Sequence, residues 1–102
     1  MVVDEGGRRY YGVNVENSSY GLTMCAERVA VFSAVTGGSR RISKVVVYSP
    51  DSEEPVVPCG ACLQVISEFG GDGTEIYMVS SRGYYRVARL RDLLPRRFSL
   101  RR

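Results

Sequence analysis

The chain holds three cysteines and no histidine. Two cysteines stand in Pro58-Cys59-Gly60-Ala61-Cys62, and the third stands far upstream in Met24-Cys25-Ala26-Glu27-Arg28-Val29-Ala30. An odd count cannot pair completely within one chain. A C-x-x-C pair with one distant partner points to an intracellular thiol or metal site more than to a disulfide framework. Without histidine, a metal site must draw on sulfur and carboxylate, and a proton shuttle must be some other group. If one ion takes all three sulfurs, the fold must carry Cys25 to the Cys59–Cys62 turn, and that requirement excludes most arrangements of the segments between them.

Those segments read as a mixed α/β protein. With 102 residues the chain has the length of one domain, residues 1–102, with a modest core. Hydrophobic residues make up 44% and charged residues 25%, which separates it from disordered chains. A net charge of +3 is too small to argue for a nucleic-acid partner. Arginine dominates its basic residues, with Lys44 the single lysine, a bias we ascribe to genome composition before heat adaptation. The start Met1-Val2-Val3-Asp4-Glu5-Gly6 lacks the basic region and apolar run of a signal peptide, and no stretch is apolar for long enough to span a bilayer. The expected address is the cytoplasm.

Asp4-Glu5-Gly6-Gly7 is a turn signal between Met1–Val3 and Arg8–Val13, which predicts an opening hairpin. The polar stretch from Asn14 to Gly21 predicts a loop. Thr23 then reads as the N-cap of a helix that ends at Gly37-Gly38 and is apolar on most sides, hence largely buried. Lys44–Tyr48 reads as a buried β-branched strand, and Ser49–Pro55 as a loop. Pro58 suits the first turn of a second helix, which presents Leu63, Ile66 and Phe69 inward and stops at Gly70-Gly71. Glu75–Val79 and Tyr84–Ala88 are strands joined at Arg82-Gly83. Leu90–Leu94 is a short helical turn stopped by Pro95. The expected architecture is a mixed sheet of about five strands carrying the two main helices on one face.

Cys59 and Cys62, three apart in a helical turn, present two sulfurs to one ion. A helix N-terminus favours the thiolate through its unpaired N–H groups and its dipole, and Cys25 starts the other helix. Three thiolates leave a fourth position open on zinc, as catalytic sites do. They also leave a formal charge of −1, which blunts the ion's Lewis acidity. Arg28 is placed to hydrogen-bond the sulfurs from outside the ligand set and draw charge off them; alone, it would read as a solvated helix arginine. Glu27 and Cys25, two apart on a helix, would point in nearly opposite directions, so Glu27 suits proton transfer over the open position better than ligation.

Taken together, Cys25-Ala26-Glu27 and Pro58-Cys59-Gly60-Ala61-Cys62 resemble the signature of the zinc-dependent deaminases in its three-cysteine form. The flanking Gly12-Val13-Asn14-Val15-Glu16-Asn17, Tyr20-Gly21-Leu22, Gln64-Val65 and Leu93-Leu94-Pro95 with Phe98 are similar to the small homotetrameric cytidine deaminases, from about Val2 to Phe98. That resemblance implies a layered cytidine deaminase-like fold and one Zn²⁺ per chain held by Cys25, Cys59 and Cys62. It implies hydrolysis of cytidine or deoxycytidine to uridine or deoxyuridine and ammonia, a pyrimidine salvage reaction, with Glu27 moving the protons. It further implies that Asn14 and Glu16 hold the ribose hydroxyls, that backbone around Ala26 and Cys59 reads the base edge, and that Tyr20 and Phe98 complete pockets across subunit contacts of a homotetramer.

The sequence departs from that family at its start, which lacks the family's first helix and enters partway into the following strand. Three other readings compete: a deaminase of another amino-heterocycle such as a nucleoside antibiotic, a catalytically weakened zinc-stabilised module, and an editor of polynucleotides through Arg96-Arg97 and Arg101-Arg102. The module reading wants a fourth protein ligand, and no histidine or fourth cysteine exists to supply one. The basic tail reads more simply as a solvated terminus. A redox role for Cys59 and Cys62 would leave Cys25-Ala26-Glu27 without a purpose.

Overall fold

A computed structural model describes residues 1–100; Arg101 and Arg102 of the basic tail lie outside the described residues. Strands β1 (Val2–Asp4) and β2 (Arg9–Tyr10) open the chain as a hairpin, followed by a short 3-10 turn at Tyr20–Leu22. Then come α1 (Ala26–Thr36), β3 (Ile42–Ser49), α2 (Gly60–Phe69), β4 (Glu75–Ser80), β5 (Tyr85–Arg89) and α3 (Leu90–Leu93). The strands form one five-stranded sheet in the order β2-β1-β3-β4-β5. Only β3 and β4 run parallel, from Lys44 opposite Glu75 to Ser49 opposite Ser80, and α2 makes the crossover between them. The mixed α/β expectation is met, and so are its two crossovers: β2 and β3 point the same way on either side of β1 and are joined through α1, and β3 and β4 are joined through α2.

Residues paired across adjacent strands share a face of the sheet. One face carries Val45, Ile76 and Met78 into a core with Ala30, Val31 and Ala34 of α1 and Leu63 and Ile66 of α2. Leu90 of α3 joins them, fully buried. The opposite face leaves Tyr48, Tyr85 and Val87 exposed. Helix α1 is less enclosed than its composition predicts. Its Phe32 and Val35 stay exposed, because only one side meets the sheet and α2.

Several boundaries differ from the sequence reading. The N-cap of α1 is Cys25, not Thr23, and Thr23 instead closes the 3-10 turn and accepts the Asn17 N–H at 3.0 Å. Met24 is extended, pairing with Val15 through two backbone hydrogen bonds of 2.9 Å, so the helix cannot begin earlier. Pro58 lies one residue before the N-cap Cys59 and is buried, so α2 begins at Gly60. The second arm of the hairpin stops at Tyr10.

The hairpin turn is built around Asp4, whose side chain is buried. Its Oδ1 accepts the N–H groups of Gly6 and Arg8, each at 2.9 Å, and Gly7 takes the left-handed φ of 82° that closes the turn. Its Oδ2 accepts the Ser39 hydroxyl at 2.7 Å and the Arg8 Nε–H at 3.1 Å, which ties β1 to the connection after α1. The Ser39 hydroxyl, and then the Arg8 and Gly6 N–H groups, hold this carboxyl below its ordinary range against the opposing effect of burial.

The pH dependence follows from that direction. The unfolded chain binds the proton more readily, so the stabilisation is complete above the ordinary aspartate range near pH 4 and is lost as pH falls through the lower folded value. Denaturant midpoints at pH 7 and pH 3 test this. Asp4→Asn is expected to be less stable at pH 7 and to lose less on acidification; equal acid sensitivity in both proteins would count against the Asp4 cluster.

Candidate metal centre and cavity

Cys25 and Cys59 are the N-caps of the two long helices, both in extended backbone conformation (φ −71°, ψ 151° and φ −68°, ψ 165°). Cys62 follows in the first turn of α2 and is fully buried. The sulfurs of all three lie within 4.8 Å of one another, and those of Cys59 and Cys62 are 3.5 Å apart. Helix N-termini carry unpaired N–H groups and roughly half a unit of positive charge. Two such ends therefore face the same sulfur cluster.

The thiols differ in environment. Cys59 is exposed, and the backbone N–H of Cys62 leads the influences that hold its thiol below the ordinary value. Burial pushes the Cys62 thiol up, and the nearby Cys59 and the charge of Glu27 add to the rise. A cation among the sulfurs relieves both burdens on Cys62. Arg28 Nη2 reaches Cys25 Sγ at 3.5 Å, and that hydrogen bond, with a second to Cys62, raises the guanidinium pKa further. Arg28 Nε is buried without a hydrogen-bond partner, so the guanidinium is desolvated on behalf of the sulfurs. Soft thiolate donors, three in number and close together, fit zinc with one position left for a small molecule.

Above the sulfurs opens a cavity of about 850 Å³. Asn14, Ala26, Glu27, Cys25 and Cys59 all line it, and Pro50, Asp51 and Ser52 after β3 form part of its rim. Helical spacing predicted that Cys25 and Glu27 diverge. Cys25 instead precedes the helix with extended backbone angles, so 100° per residue does not apply between them, and both face the cavity. Glu16 is not part of the wall, and its carboxylate accepts the Asn14 Nδ2–H at 3.0 Å. Tyr20 and Phe98 are not brought to the cavity within one chain; they are 90% and 70% exposed. Gln64 of α2 holds the Phe98 carbonyl at 3.0 Å, and Arg97 pairs with Asp72, so the segment bearing Phe98 is tied to the body of the chain. Sequence reasoning missed the Gln64 contact and the rim loop. The one available signal was an amide on the helix that presents Leu63 and Ile66 inward.

Comparison with known proteins places these features in a family context. A family model described as the cytidine and deoxycytidylate deaminase zinc-binding region matches residues 1–79, which include all three cysteines and Glu27. A cytidine deaminase of Sporosarcina psychrophila is 44% identical over 95 residues, covering 93% of this chain and 69% of that protein's length. The crystal structure of a cytidine deaminase from Burkholderia pseudomallei superposes with a TM-score of 0.90 at 41% identity, covering 95% of this chain and 77% of that one. A blasticidin-S deaminase of Bacillus cereus is more distant, 29% identical over 94 residues, covering 85% of this chain and 66% of that protein's length.

Arg28→Gln keeps the length of the side chain and removes its charge. It is expected to weaken zinc binding by roughly 10- to 100-fold in chelator competition, the usual effect of losing a partner of the ligands. Unchanged affinity would show that the guanidinium does not support the sulfurs.

Proposed function

Because the chain belongs to the zinc-binding cytidine and deoxycytidylate deaminase family, we propose that it hydrolyses cytidine and deoxycytidine to uridine and deoxyuridine. Water replaces the 4-amino group, which leaves as ammonia. The observation that carries this reading is the convergence of three sulfurs from two helix N-termini at a cavity whose wall also holds a carboxylate, Glu27. Cys25, Cys59 and Cys62 would hold zinc, which when bound would supply the Lewis acidity that makes water a better acid and nucleophile.

The chain's own residues do the rest. Glu27 takes one proton from water and delivers it to ring N3 as oxygen bonds to C4. It then takes the remaining proton from the new C4 hydroxyl and passes it to the amino group, so that the C–N bond breaks, ammonia leaves and the C4 carbonyl forms. Backbone groups at Ala26 and Cys59 meet the edge of the base. Asn14, its amide oriented by Glu16, meets the sugar hydroxyls. Arg28 offsets the negative charge that three thiolates place on the ion. Tyr20 and Phe98 close the pockets of neighbouring subunits in a homotetramer. Exposed Val13, Tyr20, Leu22 and Phe98 support that assembly, since apolar surface of this extent favours burial against another chain. No described helix is long and apolar enough to cross a membrane, and we assign the protein to the cytoplasmic nucleoside pool.

The distant likeness to a blasticidin-S deaminase supports a second reading, in which the substrate is another amino-heterocycle. A substrate panel separates the two. Glu27→Ala tests the mechanism directly: zinc content stays at one per chain while turnover of cytidine falls by about 100-fold or more, the scale of a lost acid–base group. If zinc-loaded wild-type protein binds both nucleosides and converts neither, the assignment fails at the chemical step.

A further inference from the structure

Gly12 sits between β2 and Asn14, against the first turn of α1. A Cβ built on it would stand 2.4 Å from the Ala26 carbonyl oxygen, 2.5 Å from the Ala30 nitrogen and 2.9 Å from Val29 Cβ. The first two atoms are acceptor and donor of one i→i−4 hydrogen bond of the helix, so neither can yield without opening the turn that carries Glu27. The φ of Gly12 is not among the positive ones, so an alanine is excluded by space and not by backbone angle. Gly70 also meets a carbonyl, that of Ile66 at 2.9 Å, but at the end of α2 and away from Asn14; two other glycines meet softer obstacles. At Gly71 the blocking atom is the tip of the Arg41 side chain, and at Gly37 it is the Tyr10 ring.

One residue beyond Asn14 the chain is fixed again. Val15 and Met24 exchange backbone hydrogen bonds of 2.9 Å, and Met24 adjoins Cys25. The segment 12–15 is thus clamped at one end by direct backbone contact with α1 and at the other by a bridge to the residue before its N-cap. Asn14 lies inside that span, on the cavity wall, with one N–H already committed to Glu16. We propose that Gly12 is a positioning residue: its lack of a side chain sets the distance between the sugar-binding end of the cavity at Asn14 and the reacting end at Glu27. The inference rests on the deaminase reading for the identity of the ligand, and on the Gly12 contact for the rest.

The test compares cytidine with 2′,3′-dideoxycytidine, which lacks the 2′- and 3′-hydroxyls, in wild type and Gly12→Ala. Zinc content is expected to stay at one per chain. KM for cytidine is expected to rise about tenfold or more, as small misplacements of binding groups do, with kcat changed far less. Dideoxycytidine is expected to change little, and Gly12→Ala added to Asn14→Ala is expected to cost nothing further for cytidine. Equal losses for both nucleosides, or full additivity with Asn14→Ala, would overturn the proposal. If the single variant does not fold, Gly12→Ala with Val29→Gly removes the Val29 Cβ and keeps the two backbone obstacles. The same selective loss then supports the proposal. Full recovery of cytidine KM, or failure of this variant to fold as well, overturns it. Calorimetric binding of both nucleosides gives the same ratio without turnover. A wild-type protein that binds but does not convert them therefore sinks the deaminase reading and leaves this one standing; one that binds neither sinks both.

Discussion

Three cysteine sulfurs lie within 4.8 Å of one another, and as ligands of one ion they would be thiolates whose mutual repulsion the surroundings have to offset. Two helix N-termini and one guanidinium meet it. Each N-terminus contributes the equivalent of about half a positive charge, and Arg28 contributes a full one. Together these come to about +2, more than the formal charge of −1 that three thiolates would leave on a divalent ion. The arrangement explains why both cysteines that open helices are N-caps and not helix-interior residues. At the cap the side chain faces the free N–H groups, whereas one turn later those groups are already bonded to carbonyls.

The sheet is what brings the two helix ends together. Strands β3 and β4 run parallel, so the chain must leave the end of β3 at Ser49 and return along α2. Loops at the carboxyl ends of parallel strands are where open α/β sheets place their ligands, and the cavity rim at Pro50–Ser52 follows that rule. Helix α1 reaches the same edge by a different route. The Val15–Met24 bridge holds the strand-like segment that precedes it, and Gly12 lets that segment touch the helix backbone.

Much of this was legible in the residues. The C-x-x-C pair after a proline, the β-branched run before it and the Gly-Gly stops located every long element. The cysteine count and spacing, with no histidine in the chain, pointed to zinc. What misled was local competition. Thr23 is by propensity a better N-cap than Cys25, and it lost because Met24 is drawn into a bridge with Val15, a tertiary contact that no window around Thr23 contains. The same bridge makes Cys25 extended, which undid the helical-angle argument about Glu27. Asp4 was read only as a turn residue, since its partner Ser39 is 35 positions away.

Tyr20 and Phe98 lie away from the cavity of their own chain, and the homotetramer we propose would give both a place to be buried. Both are large, apolar and mostly exposed, yet neither is loose: the turn at Tyr20–Leu22 is closed by the Thr23 N–H on the Tyr20 carbonyl, and Phe98 is fixed through its own carbonyl by Gln64. Holding an exposed aromatic in place costs conformational entropy that solvent contact does not return. Burial of the same ring against a second chain does return it, and a rigid ring loses less freedom on docking than a mobile one. In the proposed homotetramer the Gln64 bond to the Phe98 carbonyl would be the intramolecular half of the contact, fixing the backbone that carries the ring on one chain while the cavity wall would belong to another.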